Sequence, residues 1–283
     1  MPPSSVLAES FGGFSAGVVG TIIGFPLDLV KTRMQTSATS TLISSPSLLQ
    51  TFKHIIRNET FSALYKGVAT PLLSLTILNT LNFTSYNHFK RVFNGSGDNF
   101  VGVSSCFLAG SLAGPIASVV STPEHMIKTQ MQIDNKRKGG ALYTNGSFDA
   151  AKQIIRKNGV AALYRGHNSN TVRECAFLGV YFATYEVLKE NLPDSKLSVP
   201  VAGGCAGAVG WVSSYPLDCV KANVQGSFPE KAGSIIETGS LILKERGIHG
   251  LYSGLTPSLI RAFLVSGSRF SAYEVGVWAF NKI

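Results

Sequence analysis

The sequence predicts an all-α membrane protein in which six transmembrane helices form three similar repeats. Its 283 residues are 45% hydrophobic and only 14% charged, whereas soluble domains carry roughly 25% charged residues. A frame of proline, lysine and glutamine recurs three times, which is typical of a protein built from internal repeats. Six mainly apolar segments are near or above the ~20 residues that a helix needs to cross a bilayer. The six segments are 11–33, 68–89, 101–130, 170–188, 199–224 and 255–280.

The repeated frame sets the limits of the three units. It consists of Pro26, Lys31 and Gln35, then Pro123, Lys128 and Gln132, and finally Pro216, Lys221 and Gln225. A proline inside a helix bends it, so we expect the polar side chains to project from the turns that follow each bend. We therefore divide the chain into repeats 1–97, 98–194 and 195–283, which together form one transmembrane domain.

Glycines mark two further positions in each repeat. Pairs of glycines, which allow two helices to approach closely, precede the prolines at Gly13 and Gly17, Gly110 and Gly114, and Gly203 and Gly207. A later glycine, two residues after a tyrosine, recurs as Gly67, Gly166 and Gly254. Between these landmarks lie the amphipathic segments 48–57, 147–157 and 234–244, which are suited to lying on a membrane surface.

The distribution of charge argues against a nucleic-acid partner, although the net charge is +9. Basic residues concentrate in 31–66 and 128–165, whereas the connection 185–196 is net acidic. The positive-inside rule then places the three long linkers on the electrically negative side of the membrane and both termini on the other side. The four cysteines have neither metal-ligand nor disulfide spacing, and no nucleophile lies in a pattern with a base. We therefore expect neither a metal site nor an enzyme.

Together these features resemble the mitochondrial carrier family over nearly the whole chain. The family signature of proline, any residue, acid, two residues and base is matched by Pro26, Asp28 and Lys31 and by Pro216, Asp218 and Lys221. A second family motif, on the even-numbered helices, is matched by Tyr185, Glu186 and Lys189. The resemblance implies a monomeric transporter of the mitochondrial inner membrane, with both termini in the intermembrane space, that works by alternating access. A membrane scaffold or receptor that kept the carrier fold without transport is the competing interpretation.

The resemblance also implies a gate of ion pairs on the matrix side. Each acid of the signature is expected to pair with the base of the next repeat, which joins Asp28 with Lys128 and Asp218 with Lys31. In the second repeat His125 occupies the acid position and Glu124 precedes it. Lys221 then lacks its partner unless Glu124 or Gln132 compensates. His125 is either a neutral hydrogen-bonding substitute or the mark of a weakened gate. The glutamines Gln35, Gln132 and Gln225 belong to the same gate.

The even-helix motif implies a second gate on the cytoplasmic side. Its members are Asn87, Lys90, Glu186, Lys189 and Glu274. We expect an ion pair between Lys90 and Glu274, at best a hydrogen bond between Asn87 and Lys189, and Glu186 facing Val277.

By the same resemblance, the substrate contacts lie two turns beyond the glycines that begin the even helices. Counting from these glycines gives Ser74, Arg173 and Arg261. Glu174 follows Arg173 directly, and neighbours on a helix point about 100° apart. Since neighbours that diverge in this way pair poorly, we expect Arg173 and Glu174 to hold opposite ends of a zwitterion. A mutual salt bridge is the alternative interpretation.

The substrate class stays open within one branch of the family. The arginine and glutamate pair, together with Arg261, resembles carriers of amino acids and carnitine, which indicates a zwitterionic metabolite such as an amino acid. Carriers of basic amino acids usually have an acid about a turn beyond the position of Ser74, and segment 74–79 has none. This disfavours ornithine and arginine and keeps acylcarnitine or a neutral amino acid open.

Membrane lipid is the other expected partner. Gly67, Gly166 and Gly254 place backbone N–H groups at helix starts, and a basic side chain precedes the first two. Such a position suits lipid phosphate, and the resemblance implies bound cardiolipin there. A simple helix cap is the alternative interpretation.

Overall fold

A computed structural model of the chain describes residues 6–36, 47–59, 64–94, 102–134, 146–193, 198–227, 234–261, 264–265 and 268. Within these ranges the protein is all-α. The helices are α1 (Val6–Thr36), α2 (Leu48–Asn58), α3 (Ala69–Asn94), α4 (Val103–Ile133), α5 (Ser147–Asn158), α6 (His167–Asn191), α7 (Ser198–Gly226) and α8 (Ile235–Leu251). A further helix, α9, begins at residue 255 and is described to residue 261, and a 3-10 helix covers Val160–Tyr164.

The first long helix of each repeat, called the odd helix, is α1, α4 or α7, and each continues past the proline of the repeated frame. Their lengths are 31, 31 and 29 residues, and at about 1.5 Å per residue each exceeds the ~30 Å hydrocarbon core of a bilayer. Pro26, Pro123 and Pro216 all lie inside these helices. The sequence prediction of proline-containing spanning helices is confirmed for these three elements.

The even helices α3, α6 and α9 all begin next to a glycine with left-handed backbone geometry. The φ angles are 89° at Gly67, 75° at Gly166 and 83° at Gly254, which lie in a backbone region that residues other than glycine rarely adopt. A Cβ atom would lie 3.5 Å from the Cα of Lys128 at Gly67, and 3.2 Å from the carbonyl oxygen of Lys31 at Gly254. At Gly166 it would lie 3.1 Å from Cγ of Gln225. Each repeat thus contacts the odd helix of the next one, and the third contacts the first, so the three repeats close into a ring.

The short helices α2, α5 and α8 pack on equivalent stretches of the odd helices. In each case one buried isoleucine anchors the contact: Ile55 packs with Leu29, Val30 and Met34, Ile154 with Met126, Ile127 and Met131, and Ile242 with Cys219, Val220 and Val224. Two of these helices begin with a capping box, formed by Ser47 and Gln50 in α2 and by Ser234 and Glu237 in α8. The amphipathic face predicted for each segment is therefore used to cover its own odd helix.

Close helix packing at glycines is confirmed in the second repeat. A Cβ atom would lie 2.4 Å from the carbonyl oxygen of Leu178 at Gly110 and 2.6 Å from the backbone nitrogen of Cys175 at Gly114. These distances allow only glycine where α4 crosses α6. In the third repeat a Cβ atom at Gly203 would lie 3.7 Å from the hydroxyl of Tyr181, and one at Gly207 would have no described atom within 4 Å. The packing of Gly13 lies outside the described residues.

The outer surface of the ring is apolar. On α4, large side chains that are 40% to 51% exposed form this surface at Phe107, Leu108, Leu112, Ile116 and Val119. Among the described helices only α4 combines the length and mean hydropathy, 1.7, of a typical membrane span.

Candidate functional site

Charged side chains from four helices and from α9 meet inside the ring. They are Asp28 and Lys31 of α1, Glu124 and Lys128 of α4, Arg173 and Glu174 of α6, Asp218 and Lys221 of α7, and Arg261 of α9. An ionisable side chain within apolar spanning helices is costly and usually marks function. The cluster is therefore the candidate site.

Two ion pairs join neighbouring repeats at the end of the cluster where a matrix gate was predicted, and they are called the matrix ion pairs below. Nζ of Lys128 lies 2.7 Å from Oδ2 of Asp28, and Nζ of Lys31 lies 2.6 Å from Oδ2 of Asp218. Gln35 supports the second pair, since its Nε2 donates to Asp218 at 3.2 Å. Both pairings are those that the sequence predicted.

The third pairing is absent from the described part of the chain. No carboxylate there lies within 4.0 Å of Nζ of Lys221, although Lys221 is only 4% exposed. Neither of the two suggested substitutes reaches it. Glu124 accepts a hydrogen bond from Ser74 at 2.6 Å, and Oε1 of Gln132 accepts one from Thr32 at 2.6 Å. The side-chain amide of Gln225 has no hydrogen-bond partner among the described residues, and its backbone carbonyl accepts from Gln130.

Arg173 and Glu174 form an ion pair with each other, so the expectation that they would pair poorly is wrong. A guanidinium nitrogen of Arg173 donates to Oε1 of Glu174 at 2.7 Å. The long, flexible arginine side chain spans the angle between the two positions, and neutralising two buried charges favours the contact. Nε of Arg173 also lies 3.5 Å from Oδ1 of Asp218. Arg173 thus links the substrate level to the matrix ion pairs.

Aromatic rings cover the cationic groups of this network. The guanidinium of Arg173 lies 5.0 Å from the ring centroid of Phe177 and 5.3 Å from that of Trp211. The ammonium of Lys31 lies 4.1 Å from the ring centroid of Trp211. A cation over an aromatic face is stabilised by the ring quadrupole, so Trp211 is a shared wall of the site.

Arg261 also reaches the matrix ion pairs. Its Nε lies 2.7 Å from Oδ1 of Asp28, whose other oxygen contacts Lys128. Sequence reasoning treated the substrate level and the matrix gate as separate layers. In the structure Arg261 and Arg173 join them, because arginine side chains are long enough to span the two turns between the levels.

Glu124 is the member of the site that sequence reasoning did not place at the substrate level. An acid within an apolar helix was itself a signal, but Glu124 was considered only as a substitute partner for Lys221. Its contact with Ser74 joins α4 to α3 and could not be read from spacing along one helix.

At the opposite end of the ring the observed ion pair differs from the predicted one. Lys90 pairs with Glu186, with 2.7 Å between Nζ and Oε1, and the hydroxyl of Tyr86 donates to the same oxygen at 3.1 Å. Lys90 was expected to pair with Glu274 and Glu186 to face Val277, but Glu274 and Val277 lie outside the described residues. Tyr86 stacks on Phe182 at 3.7 Å, which brings α3 and α6 together at this turn.

The expected hydrogen bond between Asn87 and Lys189 is also absent among the described residues, where both side chains are exposed. The motif spacing identified the right helices and turns for this end of the ring. It did not give the direction in which the pairs run around the ring.

The Lys90 and Glu186 pair gives a first prediction. In a double-mutant cycle, Lys90→Ala and Glu186→Ala are each expected to lower the melting temperature of the purified protein, and the double variant should lose less than the sum. For a half-buried pair we expect a coupling of about 1–2 kcal/mol. Arg91→Ala, an exposed neighbour on the same helix, is the control. Additive losses would show that the contact contributes nothing.

Comparison with known proteins identifies the family. A family model described as mitochondrial carrier protein matches residues 2–97, 100–196 and 194–282. The chain belongs to the mitochondrial carrier family. Members of this family are transporters of the mitochondrial inner membrane rather than enzymes, and they carry small molecules.

Relatives within the family have names from two substrate classes. This carrier is 34% identical to the mitochondrial arginine transporter of Arabidopsis thaliana, over 94% of this chain and 88% of the relative. It is also 34% identical to the mitochondrial basic amino acids transporter of Bos taurus, over 94% and 90%. The mitochondrial carnitine/acylcarnitine carrier protein of Mus musculus is 30% identical over 100% of this chain and 96% of the relative.

Proposed function

We propose that this carrier exchanges small zwitterionic metabolites, foremost amino acids, by alternating access. The supporting observation is the buried pair of Arg173 and Glu174 within the ring. A guanidinium can bind a substrate carboxylate with two parallel hydrogen bonds, and a carboxylate beside it can bind an ammonium group. Relatives named for basic amino acids and for carnitine esters, which are dipolar or carry a dipolar head, support the same class.

Binding of a zwitterion exchanges one set of charge partners for another. The substrate carboxylate takes the place of Glu174 beside Arg173, and the substrate ammonium takes the place of Arg173 beside Glu174. Neither buried charge is left alone, so the exchange avoids the 3–5 kcal/mol that removing one partner of a buried pair typically costs. A molecule with only one of the two charges would incur that cost.

Arg173 connects this exchange to the matrix gate. It contacts Asp218, which also pairs with Lys31. When a substrate carboxylate draws the guanidinium away, Asp218 loses one of its two cations, and the pair that joins α7 to α1 becomes easier to break. A substrate that binds the open form better than the closed form shifts the population toward opening. With His125 in the acid position, this gate has two ion pairs rather than three to release.

The cytoplasmic gate closes the other end of the path. In this mechanism Lys90 and Glu186 separate when the carrier opens to the intermembrane space and pair again when the matrix side opens. Both termini lie on the intermembrane-space side, in agreement with the basic linkers, and the transporting unit is a monomer.

Acylcarnitine is the alternative substrate, and Trp211 and Phe177 favour it. Both rings lie beside Arg173, and aromatic faces attract quaternary ammonium groups. The two substrates are separated by reconstituting the purified carrier in liposomes and measuring uptake of labelled basic amino acids, neutral amino acids, carnitine esters and simple carboxylates. Saturable uptake of a zwitterion supports the proposal. Uptake of none of them would contradict it and favour the scaffold interpretation.

An anionic lipid is expected in a cavity on the matrix side, beside Gly166. The cavity has a volume of about 590 Å³, and its walls include Arg165 and the first turns of α6 and α8. Backbone N–H groups at two helix starts, together with a guanidinium, suit a lipid phosphate such as those of cardiolipin. We expect cardiolipin to raise the melting temperature of the wild type and Arg165→Ala to reduce that rise. An equal rise in both proteins would contradict this assignment.

A further inference from the structure

Glu124 is a buried carboxylate without a cationic partner in the described part of the chain. It is 9% exposed, and its Oε2 accepts a hydrogen bond from the hydroxyl of Ser74 at 2.6 Å. No lysine, arginine or histidine nitrogen there lies within 4.0 Å of it. One hydroxyl compensates poorly for the loss of hydration of a carboxylate. Such an arrangement is costly to keep unless the carboxylate meets a positive charge during function.

The position of Glu124 is at the substrate level rather than within the matrix ion pairs. Its partner Ser74 occupies the position of α3 that corresponds to Arg173 in α6 and Arg261 in α9. On α4, one turn before Glu124, the hydroxyl of Ser121 lies 3.4 Å from Oε1 of Glu174. The carboxylate of Glu174 therefore lies at the level of α4 from which the side chain of Glu124 projects.

Counting the charges at this level distinguishes between classes of zwitterion. One carboxylate, Glu174, is paired with Arg173, and Glu124 is a second carboxylate without such a pair. A neutral amino acid has one ammonium group and would satisfy only one of them. A basic amino acid has a second cationic group on its side chain and satisfies both.

The carboxylate end of such a substrate also finds enough positive charge. Arg173 is available once its pair with Glu174 is exchanged, and Lys221 is buried without a carboxylate within 4.0 Å in the described residues. A basic amino acid has one negative and two positive groups. Its carboxylate matches Arg173 and Lys221, and its two cationic groups match Glu174 and Glu124.

We propose that Glu124 determines specificity by binding the side-chain cation of a basic amino acid. The inference rests on the proposed exchange of zwitterions and goes beyond it by assigning a residue and a substrate class. The inference also explains how a basic substrate could bind although segment 74–79 has no acid. Glu124 of α4 supplies the carboxylate that α3 lacks, and it contacts Ser74 of α3. The missing acid on α3 therefore does not exclude a basic substrate.

The test compares arginine with citrulline, which has nearly the same shape but an uncharged side chain. Initial uptake of both labelled compounds is measured in liposomes with the wild type, Glu124→Gln, and the control Glu245→Gln on the exposed side of α8. The wild type and the control are expected to prefer arginine at least about tenfold, because a site built for a charged group rejects an analogue without it. In Glu124→Gln the preference should fall to near unity through loss of arginine uptake, while citrulline uptake is kept.

Each other outcome is informative. Equal loss of both uptakes in Glu124→Gln would overturn the proposal, since it would show a structural or gating role. A wild type that transports citrulline as well as arginine would overturn it too. Uptake of neither compound, nor of any other zwitterion, would instead contradict the transport function on which the inference rests. If Glu124→Gln does not reconstitute, Glu124→Asp replaces it. Its shorter side chain is expected to reduce the preference for arginine, and an unchanged preference would overturn the proposal.

Discussion

Arg173→Ala is expected to abolish the exchange of every zwitterionic substrate. The substitution removes the group that binds the substrate carboxylate and leaves Glu174 and Asp218 each without one of their cations. Truncation of one partner in a buried charge pair typically costs 2–5 kcal/mol, so we expect uptake to fall by at least about thirtyfold. The measurement is the initial rate of uptake into liposomes with matched amounts of protein.

Two further variants identify the cause of this loss. Arg173→Lys keeps the charge but lacks the planar fork that binds a carboxylate through two hydrogen bonds, so it should recover part of the activity. Arg156→Ala removes an arginine that is exposed on α5, and it should transport at the wild-type rate. Wild-type transport by Arg173→Ala would show that the substrate binds elsewhere.

Gly114→Ala is expected to destabilise the protein strongly. The added Cβ would lie 2.6 Å from the backbone nitrogen of Cys175, and a backbone atom cannot move aside as the end of a side chain can. The contact between α4 and α6 must then widen along the buried cluster that includes Ala113, Ala117 and Leu178. We expect a loss of about 3 kcal/mol, seen as a melting temperature lower by roughly 5–10 °C.

Gly204→Ala is the matched control, since no described atom lies within 4 Å of where its Cβ would be. It adds the same methyl group to a spanning helix and should leave the melting temperature nearly unchanged. Equal melting temperatures for the wild type and Gly114→Ala would mean that the helices do not approach as closely as the structure indicates. The double variant Gly110→Ala with Gly114→Ala should not fold, because the clashes occur on successive turns.

The features that sequence reasoning predicted correctly are those set by the repeat. Once the three copies are aligned, the resemblance to the family implies the pairing of Asp28 with Lys128 and of Asp218 with Lys31, which the structure contains. Gly67, Gly166 and Gly254 could be found for the same reason. Backbone geometry at a fixed position in each copy depends on the local residues and not on how far a side chain reaches.

The errors all concern which side chains meet. Arg173 and Glu174 were expected to diverge because helix geometry fixes their Cβ directions, but the remaining torsions of arginine bring the charges together. Lys90 pairs with Glu186 because α3 and α6 meet at Tyr86 and Phe182, which no motif specifies.

The contact of Glu124 with Ser74 was missed for a related reason. An acid displaced by one residue along a helix turns about 100° and faces a different neighbour. Which neighbour it meets depends on the packing of α3 against α4, and a single sequence does not specify that packing.

The most direct test of transport through this ring is counter-exchange. Liposomes with the purified carrier are prepared either empty or loaded with an unlabelled amino acid, and the initial uptake of the same amino acid in labelled form is compared. If the charged network binds a zwitterion and opens alternately to each side, loaded liposomes will take up label several times faster than empty ones. If no amino acid or carnitine ester enters loaded liposomes faster than protein-free ones, the charged interior is not a transport site.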